Sequence, residues 1–343
     1  MSNILILGGT RNLGYVTAVK FIEAGHSVAV LNRGVTRDDL PDAVERVRGT
    51  RGDAATLHAT LGRREFDMVV DMTTYTASEA REAVDLFRER TARHVFISSG
   101  QVYLVREDIP RPFRERDFDG PLMKAPAAGT SDYESWKYGI DKREAEAVFD
   151  TAFREQEFPV TTLRLPMVAS ERDHYGRIQG YFARIMDGGP ILIPDVDGLP
   201  LRHVYAGDVA RLIVNLATSG AGIGKAINVS HGRSVSLADY LALLGVICGA
   251  NVRAARLPRA ILEKEQLLPD CSPFSGKWMS ELDNRASLEI FNGMAEYTPP
   301  EVYLASIFDN YETAWIPSRV PPSGYSQRER ELRIVQCGPI SAE

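Results

Sequence analysis

The first half of the chain switches repeatedly between two hydrophobic periods. Short, mostly apolar runs at Asn3–Leu7, Val28–Leu31, Met68–Met72 and Val95–Ser98 read as strands buried on both faces. Between the first two, apolar residues at 13, 16, 18, 19, 21 and 22 follow the helical period, and Gly25 ends the run. Helical stretches are also predicted near Ala54–Leu61 and Ala77–Arg90. This βαβαβ rhythm predicts an α/β fold, a doubly wound parallel sheet with helices on both faces.

Residues 106–130, rich in Pro, Gly and charge, read as a long loop. A helix follows, with Ser131 as N-cap of a capping-box pattern, Ser131-Asp132-Tyr133-Glu134. Val160–Leu165 reads as another strand, and later a helix at Asp208–Thr218 and a strand at Ala226–Val229 look regular. Beyond Pro317 the sequence reads as an appended tail, either disordered or docked on a partner.

The length of 343 residues fits two domains. A net charge of −6 gives no reason to expect a nucleic acid or an anionic membrane as partner. Three scattered cysteines point to reduced thiols, and six scattered histidines give no metal-ligand spacing. No apolar run approaches membrane-spanning length, and the first residues lack the pattern of a signal peptide; the expectation is a cytoplasmic protein. Of the basic residues only seven are lysines, so a well-placed lysine carries more information than an arginine.

Two constellations suggest chemistry. Leu7-Gly8-Gly9-Thr10-Arg11-Asn12-Leu13-Gly14 lies where the first strand passes into a helix, a place where glycines let the backbone approach a pyrophosphate. Gly8, Thr10, Arg11, Asn12 and Leu13 are therefore candidate contacts to a dinucleotide. The second strand ends in Asn32-Arg33-Gly34 with no carboxylate for a ribose hydroxyl, and Arg33 with Arg11 suits a 2′-phosphate, favouring NADP over NAD.

Tyr133 and Lys137, four residues apart, share a helix face. Thirteen tyrosines and seven lysines give about 0.3 such pairs by chance, so the position after the fifth strand matters more than the spacing. An ammonium at ~4 Å supplies about 4 kcal/mol at an effective dielectric of ~20, enough to bring a tyrosine pKa from ~10 to ~7. Ser99, at the end of the Val95–Ser98 run, is placed to polarise the same substrate oxygen.

With these residues together, the sequence resembles the short-chain dehydrogenase/reductase superfamily, in its extended epimerase/dehydratase branch. The family's TGxxGxxG is matched by Leu7–Gly14 with Arg11 at the middle glycine, as in an atypical GGTRxxG subgroup. Ser98-Ser99-Gly100-Gln101-Val102-Tyr103 matches SSxxVY, Tyr133 and Lys137 match YxxxK, and the helix continues as GIDKREAE. The resemblance implies a Rossmann-like fold with catalytic Ser99, Tyr133 and Lys137. It also implies cofactor contacts at Asp53, Ala54, Met72, Thr73, Thr74, Ser98, Tyr133, Lys137 and Pro166. Substrate contacts fall on Tyr103, His174 and Arg202, the last within Leu201–Ala210, which is similar to the family's RxxVxVxDVA. The implied domains are 1–165 with about 203–229 for NAD(P), and a smaller mixed α/β substrate domain at about 166–202 with 230–317. Residues 318–343 would be the tail, and a homodimer is the implied assembly.

Departures narrow the reaction. Gly100-Gln101 stands where sugar-nucleotide dehydratases place an acid, which disfavours 4,6-dehydration. Met167 stands where many epimerases hold the diphosphate with Asn. An epimerase of a nucleotide-sugar-like substrate and an NADPH-dependent ketoreductase of another small molecule both remain. A third reading is a non-catalytic RNA-binding relative.

Overall fold

The computed structural model describes residues 1–36, 38–196, 200–293, 296–322 and 324–337. The chain divides into two compact units. Met1–Val168, His203–Gly232 and Ser280–Tyr297 form the first, and Ala169–Arg202, Arg233–Met279 and Thr298–Glu343 form the second.

The first unit is built on seven parallel strands: β1 (Asn3–Leu7), β2 (Ser27–Asn32), β3 (Glu45–Arg48), β4 (Met68–Asp71), β5 (His94–Ser99), β6 (Val160–Leu165) and β7 (Ala226–Asn228). Their spatial order is β7-β6-β5-β4-β1-β2-β3, a Rossmann-like sheet. Strand β3, whose Glu45 and Arg48 are exposed, carries too little apolar signal to be read from sequence.

Alternation along each strand sorts the core into two layers. Ile4, Ile6, Val30, Val70 and Val95 face α1 (Asn12–Glu23) and α6 (Ala206–Leu216) through Phe21, Val209 and Ile213. Leu5, Val69 and Phe96 face α3 (Ala77–Phe87) and α5 (Ser131–Gln156) through Val84, Phe87, Ala145 and Phe149. Both faces of the sheet are covered, which is why the strands read as continuous apolar runs.

The chain moves outward from β1 in one direction through β2 and β3, and from β4 in the other through β5, β6 and β7. The switch point therefore lies between β1 and β4, where such sheets bind ligands beyond their carboxyl ends. Leu7 pairs with Asp71 across β1 and β4, and Asp71 with Phe96 across β4 and β5, so three adjacent strands deliver their following loops to one edge.

The first unit also takes in Ser280–Tyr297, which the sequence expectation gave to the substrate domain. Phe291 is in its core and Leu282 packs with Tyr103 and Phe113, apolar anchors too isolated to show a period. In the second unit, Ile191–Pro194 pairs in parallel with Ala254–Leu257, and Pro200–Leu201 antiparallel with Val235–Ser236. The stretch read as a tail contains the helix Arg328–Cys337, which docks within this unit: Ile334 packs on Leu192, Leu262 and Leu267. No helix among the described residues is long and apolar enough to cross a membrane.

Candidate active site

The turn from β1 into α1 is shaped by two glycines. Gly8 has φ +84°, and a Cβ there would lie 2.3 Å from Thr73 Cγ2, so its absence lets the loop after β4 close over it. A Cβ on Gly14 would lie 2.3 Å from the Gly8 carbonyl oxygen, which fixes the helix start against the turn. Arg11, the N-cap, gives the first turn no side-chain acceptor, leaving the N–H donors of a twelve-residue helix turned toward the sheet edge. Leu13 is buried under this turn, while Thr10 and Asn12 are half-buried.

Arg11 reaches Thr36 Oγ1 at 3.1 Å, in the loop after β2 that also carries the exposed Arg33. In that loop Asn32 Oδ1 accepts the Gly34 N–H at 2.8 Å and a bond from Arg48 Nη1. Asp53 is the N-cap of α2 (Ala54–Leu61), accepting from Thr56 N at 3.0 Å and Thr56 Oγ1 at 2.6 Å.

Beyond β4 and β5 lies a buried ionic cluster. Asp71, inaccessible to solvent, accepts the Thr73 and Thr74 N–H groups on Oδ1, each at 3.0 Å. Its Oδ2 accepts Arg51 Nη2 and Thr74 Oγ1, both at 2.6 Å, and lies 3.6 Å from His94 Nε2. Burial would raise the Asp71 carboxyl, but Arg51, His94 and Thr74 outweigh it and hold the pKa far below the carboxylate range. His94, packed among Phe87, Phe149 and Phe158, is pushed toward its neutral form by burial.

Lys142 completes the cluster from α5. It is 2% exposed, and its Nζ donates to the carbonyls of Thr74 at 2.6 Å and Ile97 at 2.9 Å. The rings of Phe96, Tyr75 and Tyr138 lie 4.8, 4.9 and 5.9 Å from it. Burial lowers its pKa to about 8, with Asp71, Glu146 and Glu79 opposing.

This placement differs from the sequence expectation, which put the tyrosine–lysine pair at Tyr133 and Lys137. Lys137 is exposed and bonds Asp141 in the next turn, which raises its pKa. At about 100° per residue it sits about 140° around α5 from Lys142, and Tyr133 about 180° away. Tyr133 instead stacks obliquely on Trp136, with ring centroids 5.9 Å apart. The same four-residue spacing recurs at Tyr138 and Lys142, on the stripe that continues through the buried Ala145, Phe149 and Ala152. That stripe was the signal available in the sequence. The N-cap also shifts: Thr130, not Ser131, accepts the Tyr133 N–H at 3.1 Å, and its carbonyl takes the Glu134 N–H.

A family model described as the NAD dependent epimerase/dehydratase family matches residues 4–230. The chain belongs to that family. A 120-residue stretch is 26% identical to the chloroplast stem-loop binding protein of 41 kDa b of Arabidopsis thaliana. That match takes in 31% of this chain and spans about a third (32%) of that protein's length. The fold is similar to an epimerase from Methanothermobacter thermautotrophicus, with TM-score 0.72 and 16% identity over 92% of this chain and 94% of the other. It is also similar to a UDP-glucose 4-epimerase from Thermotoga maritima solved with UDP-glucose, with TM-score 0.69 and 20% identity over 91% and 99%.

The cofactor of an epimerase/dehydratase family member fits the residues present, since the β1–α1 turn is a cradle that a Cβ at Gly8 or Gly14 would fill. Met72 and Thr73 are half-buried and Pro166 buried at the ends of β4 and β6. Ser99 is half-buried at the end of β5, where its Oγ accepts the Gln101 N–H at 3.1 Å.

Three residues expected at the ligand are turned into the protein: Thr74, buried and bonded to Asp71 and Lys142, and with it Ser98 and Tyr103. Ser98 is buried and donates to Glu146 Oε1. Tyr103 is fully buried, donating to Asn228 Oδ1 at 2.8 Å and accepting from Arg164 Nη1 at 2.7 Å, and burial pushes its phenol pKa up. Both follow from strand and helix phase, which points them at the buried Glu146–Arg164 pair (2.6 Å). Arg202 and His174 lie in the second unit, where Arg202 Nε donates to Ser234 Oγ at 2.8 Å and the exposed His174 packs on Tyr175.

Proposed function

We propose that the chain is an NAD(P)-dependent oxidoreductase or epimerase acting at a secondary alcohol or ketone of a sugar-like, nucleotide-linked substrate. The observation that carries this reading is Lys142: a buried ammonium between the Thr74 and Ile97 carbonyls, facing the Tyr138 ring beside Ser99's strand. Thr10–Leu13 would hold the pyrophosphate on their N–H groups, Gly8 would line the cradle as backbone without a Cβ, its own N–H being bound to the Leu31 carbonyl at 2.9 Å, and Arg11 with Arg33 favours the 2′-phosphate of NADP. The bound nicotinamide supplies hydride acceptance or donation. Tyr138 takes or returns the substrate hydroxyl proton, Ser99 polarises that oxygen, and Lys142 stabilises the phenolate and holds the nicotinamide ribose. Arg202 and His174 as substrate contacts, and a homodimer as the assembly, belong to this proposal.

The test compares two pairs of variants. Tyr138→Phe and Lys142→Met are expected to lower kcat at least 100-fold, while Tyr133→Phe and Lys137→Met stay within a few-fold. The reverse ranking would return the catalytic role to the outer face of α5. An epimerase retains bound cofactor with no net turnover of NAD(P)H, whereas stoichiometric NADPH consumption with a ketone marks a reductase, which Met167 favours. Salt-dependent RNA binding that survives Lys142→Met, without turnover, would support the non-catalytic RNA-binding reading.

A further inference from the structure

Asp71 is bound at every oxygen, and the pattern of its bonds converges on one neighbour. Thr74 gives it both the backbone N–H and the hydroxyl, and the remaining polar atom of Thr74, its carbonyl, accepts Lys142. Arg51 closes the cluster from the other side, bonding Asp71 at 2.6 Å and also reaching Thr74 Oγ1. A turn that only needed its N–H groups capped would be served by a neutral Asn. A charged pair with no solvent access at Asp71 is costly to assemble, and breaking it leaves an uncompensated charge.

We infer that the Arg51–Asp71 pair is a positioning device for Lys142: through Thr74 it fixes the carbonyl that holds the ammonium, and its carboxylate supplies the anion that a buried ammonium requires. The inference rests on the catalytic reading of Lys142 proposed above. The groups facing Lys142 assign the device its sign. Asp71 from the end of β4, Glu79 from α3 and Glu146 from its own helix favour the cation, and Arg51 opposes it. Tyr75, Phe96 and Tyr138 contribute ring faces, and the buried His94 lies with its Nε2 3.6 Å from Asp71 Oδ2.

The sign separates this role from simple packing. Removing the Asp71 charge while keeping its shape should make Lys142 harder to protonate. Loosening the site would instead let water in and return Lys142 toward the ~10.4 of a free lysine. With only seven lysines in the chain, Nζ titration by NMR of lysine-labelled protein is tractable, the Lys142 signal being the one lost in Lys142→Met. In Asp71→Asn the Lys142 midpoint is expected to fall by about one unit. The pH limit of kcat should fall with it, and KM for substrate should change less than threefold.

Arg51→Gln should move the midpoint up, and Arg51→Lys should bring it back. A midpoint in Asp71→Asn that stays put, or rises, overturns the inference. If Asp71→Asn does not fold, the Arg51 variants decide: no rise in Arg51→Gln, or no return in Arg51→Lys, overturns it equally. Full turnover in Lys142→Met would refute the catalytic reading instead, while leaving the Asp71 titration result interpretable.

Discussion

Lys142 is held in a state that works against the stability of the fold. Its folded pKa of about 8 lies below the ~10.4 of an unfolded lysine. Below pH 8 the group is charged in both states, and the folded protein bears the whole desolvation cost, about 3 kcal/mol at 1.36 kcal/mol per unit. Between pH 8 and about 10.4 the unfolded chain keeps its proton while the folded one sheds it, so that cost fades as pH rises. Lys142→Met should therefore gain about 3 kcal/mol relative to wild type at pH 7 compared with pH 10.5, read from urea melts at both pH values. A gap that does not change with pH would mean that Lys142 is not the buried cation of this site. A residue that destabilises its own fold is a candidate for function on that ground, independent of any motif.

At the scale of the elements, the strand ends were legible and the helix face was not. Leu7, Asp71 and Ser99 end strands whose apolar runs announce a parallel sheet, so the sequence placed the glycine turn after β1 and Ser99 at one edge. Two Tyr-xxx-Lys pairs lie in succession on α5, and the position after the fifth strand and its loop favoured the first. The choice between them depends on which side of a 26-residue helix meets the sheet, and only the stripe through Ala145, Phe149 and Ala152 reports that. The loop after β2 has the opposite character: the expectation there rests on charge alone, Arg33 standing where a carboxylate would select NAD. Replacing Arg11 and Arg33 together by Ala should cut the preference for NADP over NAD by tenfold or more, since charge-assisted hydrogen bonds contribute about 1.5–3 kcal/mol. Steady-state kcat/KM with each cofactor measures it, and an unchanged ratio would remove both arginines from the 2′-phosphate site.

At the scale of the whole molecule, what escaped the sequence is chain that returns to a unit it had left. The C-terminal helix Arg328–Cys337 reads as solvated because Arg and Glu crowd its first turns, and charged residues are almost never fully buried unless paired. Pairing is what the fold provides. Arg184 and Glu331, neither accessible to solvent, meet at 2.5 Å, with Arg328 bridging Glu331 and Asp187. Arg184 also bonds the carbonyls of Gly180, Asp270 and Gly324, so this one guanidinium ties three stretches of the second unit to the last helix. Because both charges are desolvated, Glu331→Ala leaves Arg184 without its counter-ion and should destabilise the second unit by about 3–5 kcal/mol. The double variant Arg184→Met with Glu331→Leu removes both charges and should recover most of that loss, since a buried ion pair often exchanges for apolar packing near neutrally. Thermal melts of the three proteins decide the matter. A single variant as stable as wild type would mean that the C-terminal helix stands apart from the unit, as the charge pattern of its sequence suggested.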